Sequence, residues 1–459
     1  MSETLSKNTL EQIDALIYEW LTDTAAPGAS LTIVNETDTL YQSGYGARHL
    51  ATNNPATPDT LYGFASVTKS FTALAILQCV DRGELSLDDP IAAHTEATFD
   101  GADEVTIHEL LSHSSGIPSL STSSVLLARQ AGMADVGVPL GDRDDLYYHI
   151  NGVGDERDEH SFSRFMYNNT GYILLSHAVE SATGQPFEQY VTDEILTPLS
   201  MDRSTFDADA YDSLEDHATP YLLENDGDGF TETSFPARKL SYGPGGLITS
   251  AADLGNYLQF NLGGGVFDGD RLVSEDLLGQ AHSAHIEPLP RYGDGYGYGW
   301  SIHDIAGTTV IGHGGSLLTS SSAIGFLPEH GLGFALGCAA QPEIHPTEIG
   351  QGIVALLLDE APQDVVPAIG YRSRVTELVG EYEAYRGVTT ATVTEEGGML
   401  SLELSIGPID NTYTLIPDDP ALHRLTFTTP KPGQPAPVEF VRHDEGVDLF
   451  VDRNRLHKQ

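Results

Sequence analysis

From Phe71 to Val80 the chain runs through Ala73, Leu74, Ala75, Ile76 and Leu77 with almost no polar residue on any face of the helix these residues would form. Such a helix has no side to turn to water, so the fold must surround it with other elements. At its mouth stands Ser66-Val67-Thr68-Lys69. Side chains three apart share a helix face, which brings the Lys69 amine to the Ser66 hydroxyl. The helix N-terminus adds free N–H groups and a partial positive charge, favouring an alkoxide at Ser66 and a neutral amine at Lys69. A lysine in an apolar helix must be paired, hydrogen-bonded or held neutral. The chain has only four others, Lys7, Lys239, Lys431 and Lys458. The plainer alternative is that Ser66 caps the helix while Lys69 snorkels to the surface.

A chain of 459 residues has material for two or three domains. Its 67 acidic and 22 basic residues leave a formal charge of −45, which excludes nucleic acid and anionic membranes as partners. The acidity is spread along the chain and lysine is scarce, so the composition reads as an evenly solvated surface adapted to high salt. Leu10, Ile13, Leu16, Ile17 and Trp20 alternate with Glu11, Asp14 and Glu19 at helical spacing. The N-terminus therefore reads as an amphipathic helix and not as a signal peptide. No later segment has the length of a membrane span, and a cytoplasmic location is expected. Cys79 and Cys338 lie in apolar runs and read as small buried hydrophobes, with a disulfide between them as the alternative. No His, Asp or Glu spacing suits a metal, so no metal or other cofactor is expected.

Residues 29–34 and 39–46 are β-rich runs that predict a hairpin leading towards Ser66. A helix is expected from Ser66 to Asp81, ending at Gly83, and another from Gly171 to Ala182, ending at Gly184. Between them, Ile117 to Phe165 is rich in Ser, Gly and Asp and reads as a helical, lid-like insertion over the site. Ser250-Ala251-Ala252-Asp253 opens a further helix that buries Leu254, Tyr257 and Leu258. Residues 299–302, 308–312, 322–327 and 333–337 predict a meander of strands, and Ile353 to Leu358 a closing helix. The first hairpin and the late meander together make one sheet around intervening helices, an α+β layout. Composition shifts after Pro362. Six short alternating strands follow between Val388 and Val451, the pattern of a small antiparallel barrel. The domains are accordingly 1–362 and 370–459.

Two more motifs stand in order behind Ser66. Tyr167-Asn168-Asn169 immediately precedes a helix, and His313-Gly314-Gly315-Ser316 falls in the turn leading into a strand. With Ser66-Val67-Thr68-Lys69 they resemble the three signature boxes of the serine β-lactamase and penicillin-binding protein superfamily, in its class C-like serine hydrolase branch of esterases and D-aminopeptidases. Pro27-Gly28-Ala29, Leu110-Leu111-Ser112-His113-Ser114-Ser115-Gly116 and Gly243-Pro244-Gly245-Gly246-Leu247 fit the same branch. The resemblance covers residues from about 10 to 360. It implies a β-lactamase/transpeptidase-like fold, with an antiparallel sheet flanked by helices and an all-helical subdomain as the other wall of a cleft. The strand-rich tail resembles the lipocalin-like domains that accompany some members.

The resemblance makes Ser66 the acylated nucleophile and Lys69 its proton acceptor or electrostatic partner. Tyr167 becomes the general base or proton shuttle, above all for the deacylating water. Asn169 would orient Lys69 and hold a substrate amide, the N–H groups of Ser66 and Ser316 would bind the oxyanion, and Gly314 and Gly315 would let substrate approach the strand edge. His313 stands where β-lactamases and D,D-peptidases carry lysine, which weakens the pull on anionic substrates. His113, Tyr298 and Trp300 read as packing residues. The reading is a serine hydrolase that cleaves an ester or amide of a small-molecule or peptide substrate through an acyl-enzyme. Its rivals are a true β-lactamase or D,D-peptidase, and a non-catalytic penicillin-binding or sensor-like module.

Overall fold

The computed structural model describes residues 4–130, 137–138, 140–156, 164–223, 229–236, 239–288, 293–419, 422–430, 437–444, 446–451 and 453–459. The chain divides into compact units at 1–350 and 351–459.

In the first unit, α1 (Lys7–Asp23) buries Ile13, Ile17 and Trp20, the stripe set by its helical spacing. The hairpin β1 (Gly28–Asn35) and β2 (Thr39–His49) follows, extended by the short β3 (Asn54–Pro55). Late in the unit come β4 (Gly295–Tyr296), β5 (Ser301–Ile305), β6 (Thr308–Leu317), β7 (Ser320–Leu327) and β8 (Leu332–Cys338). These eight strands form one antiparallel sheet in the order β4-β5-β6-β7-β8-β1-β2-β3. Its two halves join where β1 pairs with β8, Ala29 facing Cys338 and Leu31 facing Leu336. Cys79 and Cys338 are both buried and both free.

The apolar segment is α2 (Thr68–Asp81), in which every side chain from Thr68 to Cys79 is buried. Against it pack α3 (Asn169–Thr183) and α4 (Ala251–Leu262). Asn168 caps α3, accepting from Thr170 N at 2.8 Å, and Gly184 ends it with φ 70°. Ser250 caps α4 by accepting from Asp253 N at 3.1 Å. Phe71 stacks on Tyr257 at 3.9 Å, and Tyr257 on Trp300 at 5.9 Å, so Trp300 is indeed a packing residue. Tyr298 packs on His285 and bonds His108 Nδ1 at 2.7 Å.

Two expectations are corrected. The helix does not begin at Ser66: a 3₁₀ turn, Ala65–Val67, precedes it, because the chain enters through Ala65 at φ 48° and must tighten before the α-helix starts. His313-Gly314-Gly315-Ser316 lies inside β6 and not in a turn. The ladder to β7 continues to Leu317 facing Ser320, so these glycines serve close approach rather than reversal. In the expected insertion, the helices Thr122–Gln130 and Arg143–Ile150 pack against α3 through Thr122 to Thr170 (3.0 Å), Tyr147 to His177 (2.8 Å) and Arg143 to Glu180 (2.7 Å). The insertion's residues 131–136, 139 and 157–163 lie outside the described residues.

The second unit holds the helices Pro362–Val365 and Pro367–Leu378 and a closed antiparallel barrel of eight strands. Tyr382, Leu402, Leu404, Phe427, Phe440, Leu449 and Leu456 fill it. The six expected strands are joined by Gly380–Glu383 and Asn454–Lys458, which pair Tyr382 with Lys458 and close the cylinder. Each turns a single fully buried residue inward, Tyr382 or Leu456, too few for the alternation to stand out in sequence.

Candidate active site

Ser66 sits half-buried in the Ala65–Val67 turn, at the N-terminus of α2. A positive φ at a residue with a Cβ is uncommon and strained, and such strain concentrates at functional sites. Here neighbouring elements hold the turn. Phe64 donates its N–H to Leu247 O at 3.0 Å, while its carbonyl accepts from Ser322 Oγ at 2.9 Å. Thr68 Oγ1 donates to Ala65 O at 2.6 Å and accepts from Leu247 N at 3.0 Å. The turn that carries Ser66 is thus tied to β7 on one side and to the Gly243–Leu247 segment on the other.

Lys69 is fully buried, and its Nζ lies 3.0 Å from Ser66 Oγ. The amine donates to the Pro244 carbonyl at 2.9 Å. Among the described residues no carboxylate pairs with it, and burial alone holds its pKa well below that of an ordinary lysine. It does not snorkel. Aromatic rings close around it, with Tyr167 at 4.8 Å and Tyr172 at 5.5 Å from Nζ to the ring centroid. Tyr172 spends its hydroxyl on Leu111 O at 2.7 Å, whereas Tyr167 is half-buried and faces the site.

Asn169 departs from its expected part. The hydrogen-bond partners of Lys69 are Ser66 and Pro244, and Asn169 Oδ1 is buried with none. The Pro244 carbonyl supplies what Asn169 was expected to give, since the bend through Gly243-Pro244-Gly245 aims that oxygen at Nζ. Asn169 remains an unfilled acceptor at the start of α3.

On the opposite wall, β6 outruns β5. Their pairing ends at Ser301 facing Gly312, and among the described residues no strand pairs with His313–Leu317 on that side. A Cβ on Gly315 would meet Phe64 O at 2.1 Å, and one on Gly314 would meet Thr347 Oγ1 at 2.4 Å. Only glycine lets β6 come this close to the turn carrying Ser66, and Ser316 follows next on the same edge.

His313 is buried with both ring nitrogens engaged. Nδ1 lies 2.6 Å from Gly314 O, which can only accept, so Nδ1 carries the hydrogen; Nε2, 3.1 Å from Tyr296 OH, accepts. Burial pushes its pKa down to about 3, and the imidazole is neutral at working pH. His345, which belongs to none of the sequence motifs, takes the complementary tautomer. Its Nδ1 accepts from Thr347 N at 3.2 Å, so Nε2–H is the donor that faces Gly315 O and Ser316 Oγ, each at 3.0 Å. The arrangement combines a serine beside an amine held well below its ordinary pKa, a phenol against that amine and a strand edge where the described residues place no fixed cation. Chemically it can acylate a serine.

Residues 11–356 match the Beta-lactamase family, and residues 362–457 match the Pab87 octamerisation domain. The structure of an octameric penicillin-binding protein homologue from Pyrococcus abyssi superposes with a TM-score of 0.86 at 30% identity, covering 98% of this chain and 100% of that one. Protein flp of Staphylococcus aureus (strain MW2) is 29% identical over 397 residues, which is 85% of this chain and 73% of that protein. Penicillin-binding protein 4 of Amycolatopsis lactamdurans is 30% identical over 337 residues, 71% of this chain and 83% of that protein. No described helix is long and apolar enough to cross a membrane.

Proposed function

This chain belongs to the Beta-lactamase family, and from that membership we propose that it hydrolyses an ester or an uncharged amide through an acyl-enzyme on Ser66. The observation that carries the reading is the fully buried Lys69, unpaired by any described carboxylate and 3.0 Å from Ser66 Oγ. A neutral amine that donates one N–H to Pro244 O keeps a lone pair for the Ser66 proton. As Lys69 takes that proton, Oγ attacks the substrate carbonyl, and the oxyanion forms against the N–H groups of Ser66 and Ser316. Removing one such donor typically lowers turnover by about a hundredfold or more. Collapse breaks the scissile bond, and the leaving group departs with the proton relayed from Lys69. Tyr167 then acts as a shuttle in deacylation: as its phenol passes its own proton to the neutral Lys69 amine it takes one from the water that attacks the acyl carbonyl, and Lys69 returns the proton to Ser66 Oγ as the acid departs.

His313 favours this reading over a β-lactamase or D,D-peptidase. Those reactions use a cation beside the strand to anchor a substrate carboxylate, and a neutral imidazole with both nitrogens engaged gives no such anchor. An intact Ser66, Lys69 and Tyr167 speak against a non-catalytic module. We further propose that residues 362–457 hold the protein in an oligomer, on the strength of their match to the Pab87 octamerisation domain. The test of the catalytic reading is a fluorophosphonate adduct, located by intact mass and peptide mapping. One adduct on Ser66, with esterase activity lost in Ser66→Ala, is expected; an adduct elsewhere with activity retained removes the assignment.

A further inference from the structure

We infer that His113 is the positioning residue for Tyr167, holding the backbone on both sides of it so that the phenol stays against Lys69. This rests on the proposal that Tyr167 acts in turnover. His113 follows the short helix Ile107–Leu111 and adopts φ 59°. In that left-handed conformation its carbonyl accepts from Met166 N at 2.8 Å while its Nδ1 accepts from Asn168 N at 3.2 Å. The residues before and after Tyr167 are thus both fastened to one residue of a distant segment. The imidazole also lies on the Tyr167 ring, with centroids 4.4 Å apart, and is enclosed by Phe165, Tyr172 and Tyr296 at 5.0–5.5 Å.

Packing alone does not explain a histidine here. Its side chain is buried, and Nε2 has no hydrogen-bond partner, so a leucine or phenylalanine would fill the space without an orphaned polar atom. What an apolar side chain lacks is the acceptor for Asn168 N–H. A backbone amide can only donate, so Nδ1 is unprotonated and the hydrogen sits on Nε2. Burial keeps the ring neutral and that acceptor available.

The test compares full-length His113→Asn, His113→Gly and Tyr167→Phe on a neutral p-nitrophenyl ester, with thermal melts as the control for folding. Asparagine places a side-chain acceptor near the position of Nδ1, and both asparagine and glycine accept a positive φ, so the acceptor separates the two variants. His113→Gly is expected to lower kcat by about tenfold or more with KM changed less than about twofold, and His113→Asn to stay within about threefold of wild type. Wild-type kcat in His113→Gly, or equal losses in both variants, overturns the clamp. If His113→Gly does not fold, His113→Asn decides alone: near-native kcat supports the clamp and a loss beyond about tenfold refutes it. Full turnover in Tyr167→Phe instead removes the role of Tyr167 and the clamp with it, an outcome distinct from failure of the clamp alone.

Discussion

Replacing Lys69 by methionine should uncouple the stability of the catalytic unit from pH in a window where the wild type depends on it. In the unfolded chain Lys69 titrates near its ordinary value of about 10.4. Buried beside Ser66 and Pro244, it titrates well below that. Between the two values the unfolded state binds one proton more than the native state, so wild-type stability rises with pH by about 1.4 kcal/mol per unit. The comparison is made below about pH 8.5, where the thiols of the unfolded chain begin to titrate. The histidines pushed below their ordinary value, such as His177 and His282, have finished titrating under this window, and the raised thiols of Cys79 and Cys338 begin to count only above it. Both groups are present in each protein and cancel in the comparison. Methionine keeps the unbranched length of lysine and leaves the Pro244 carbonyl without a donor, a loss of about 1–2 kcal/mol that is independent of pH. The assay is urea unfolding at fixed ionic strength, followed by tryptophan fluorescence. Trp20 and Trp300 are the only tryptophans, and both are buried in the unit that holds Lys69. Wild type minus Lys69→Met should rise by about 1.4 kcal/mol per pH unit. Parallel pH dependences would mean that the amine stays charged in the native state, and the proposed proton acceptor would be lost.

His313→Lys should lower the ratio of kcat/KM for a methyl ester over its free-carboxylate counterpart by about tenfold, because one charge-assisted hydrogen bond of about 1.5–3 kcal/mol is partly offset by burying an ammonium near Lys69. An unchanged ratio in a folded variant would show that the charge at this position does not select substrate. Solubility, melting temperature and activity should all increase from low salt to molar potassium chloride, since a formal charge of −45 repels itself until counterions screen it; a flat response would refute the high-salt reading. A chain ended before Pro362 should keep the Ser66 adduct but lose its assembly by light scattering, and an equally large assembly would detach oligomerisation from the C-terminal barrel.

The approach of Lys69 to Ser66 was legible because it is local: the two are three residues apart, at the mouth of a helix whose apolar composition already demands burial. The other parts of the site are set by contacts between distant segments. Pro244 lies 175 positions from Lys69 and contributes a backbone oxygen, which residue type does not encode. His113 reads as one more buried ring until its two bonds flanking Tyr167 are seen. The glycines of β6 resemble turn residues, since composition does not distinguish a reversal from the close approach that Phe64 imposes.

The pairing of β1 with β8 has a consequence for synthesis. Ala29 and Cys338 are about 300 residues apart in sequence, and contacts so distant make folding slow. A chain emerging from the ribosome exposes the β1–β2 hairpin with an unpaired edge for most of its translation, an invitation to wrong partners. Until β6 to β8 have emerged, the turn bearing Ser66 has neither its sheet nor the strand edge that would receive a substrate. Every copy is inert until three-quarters of it has been made, and truncated products released before that point should be prey for proteases rather than partly active enzymes.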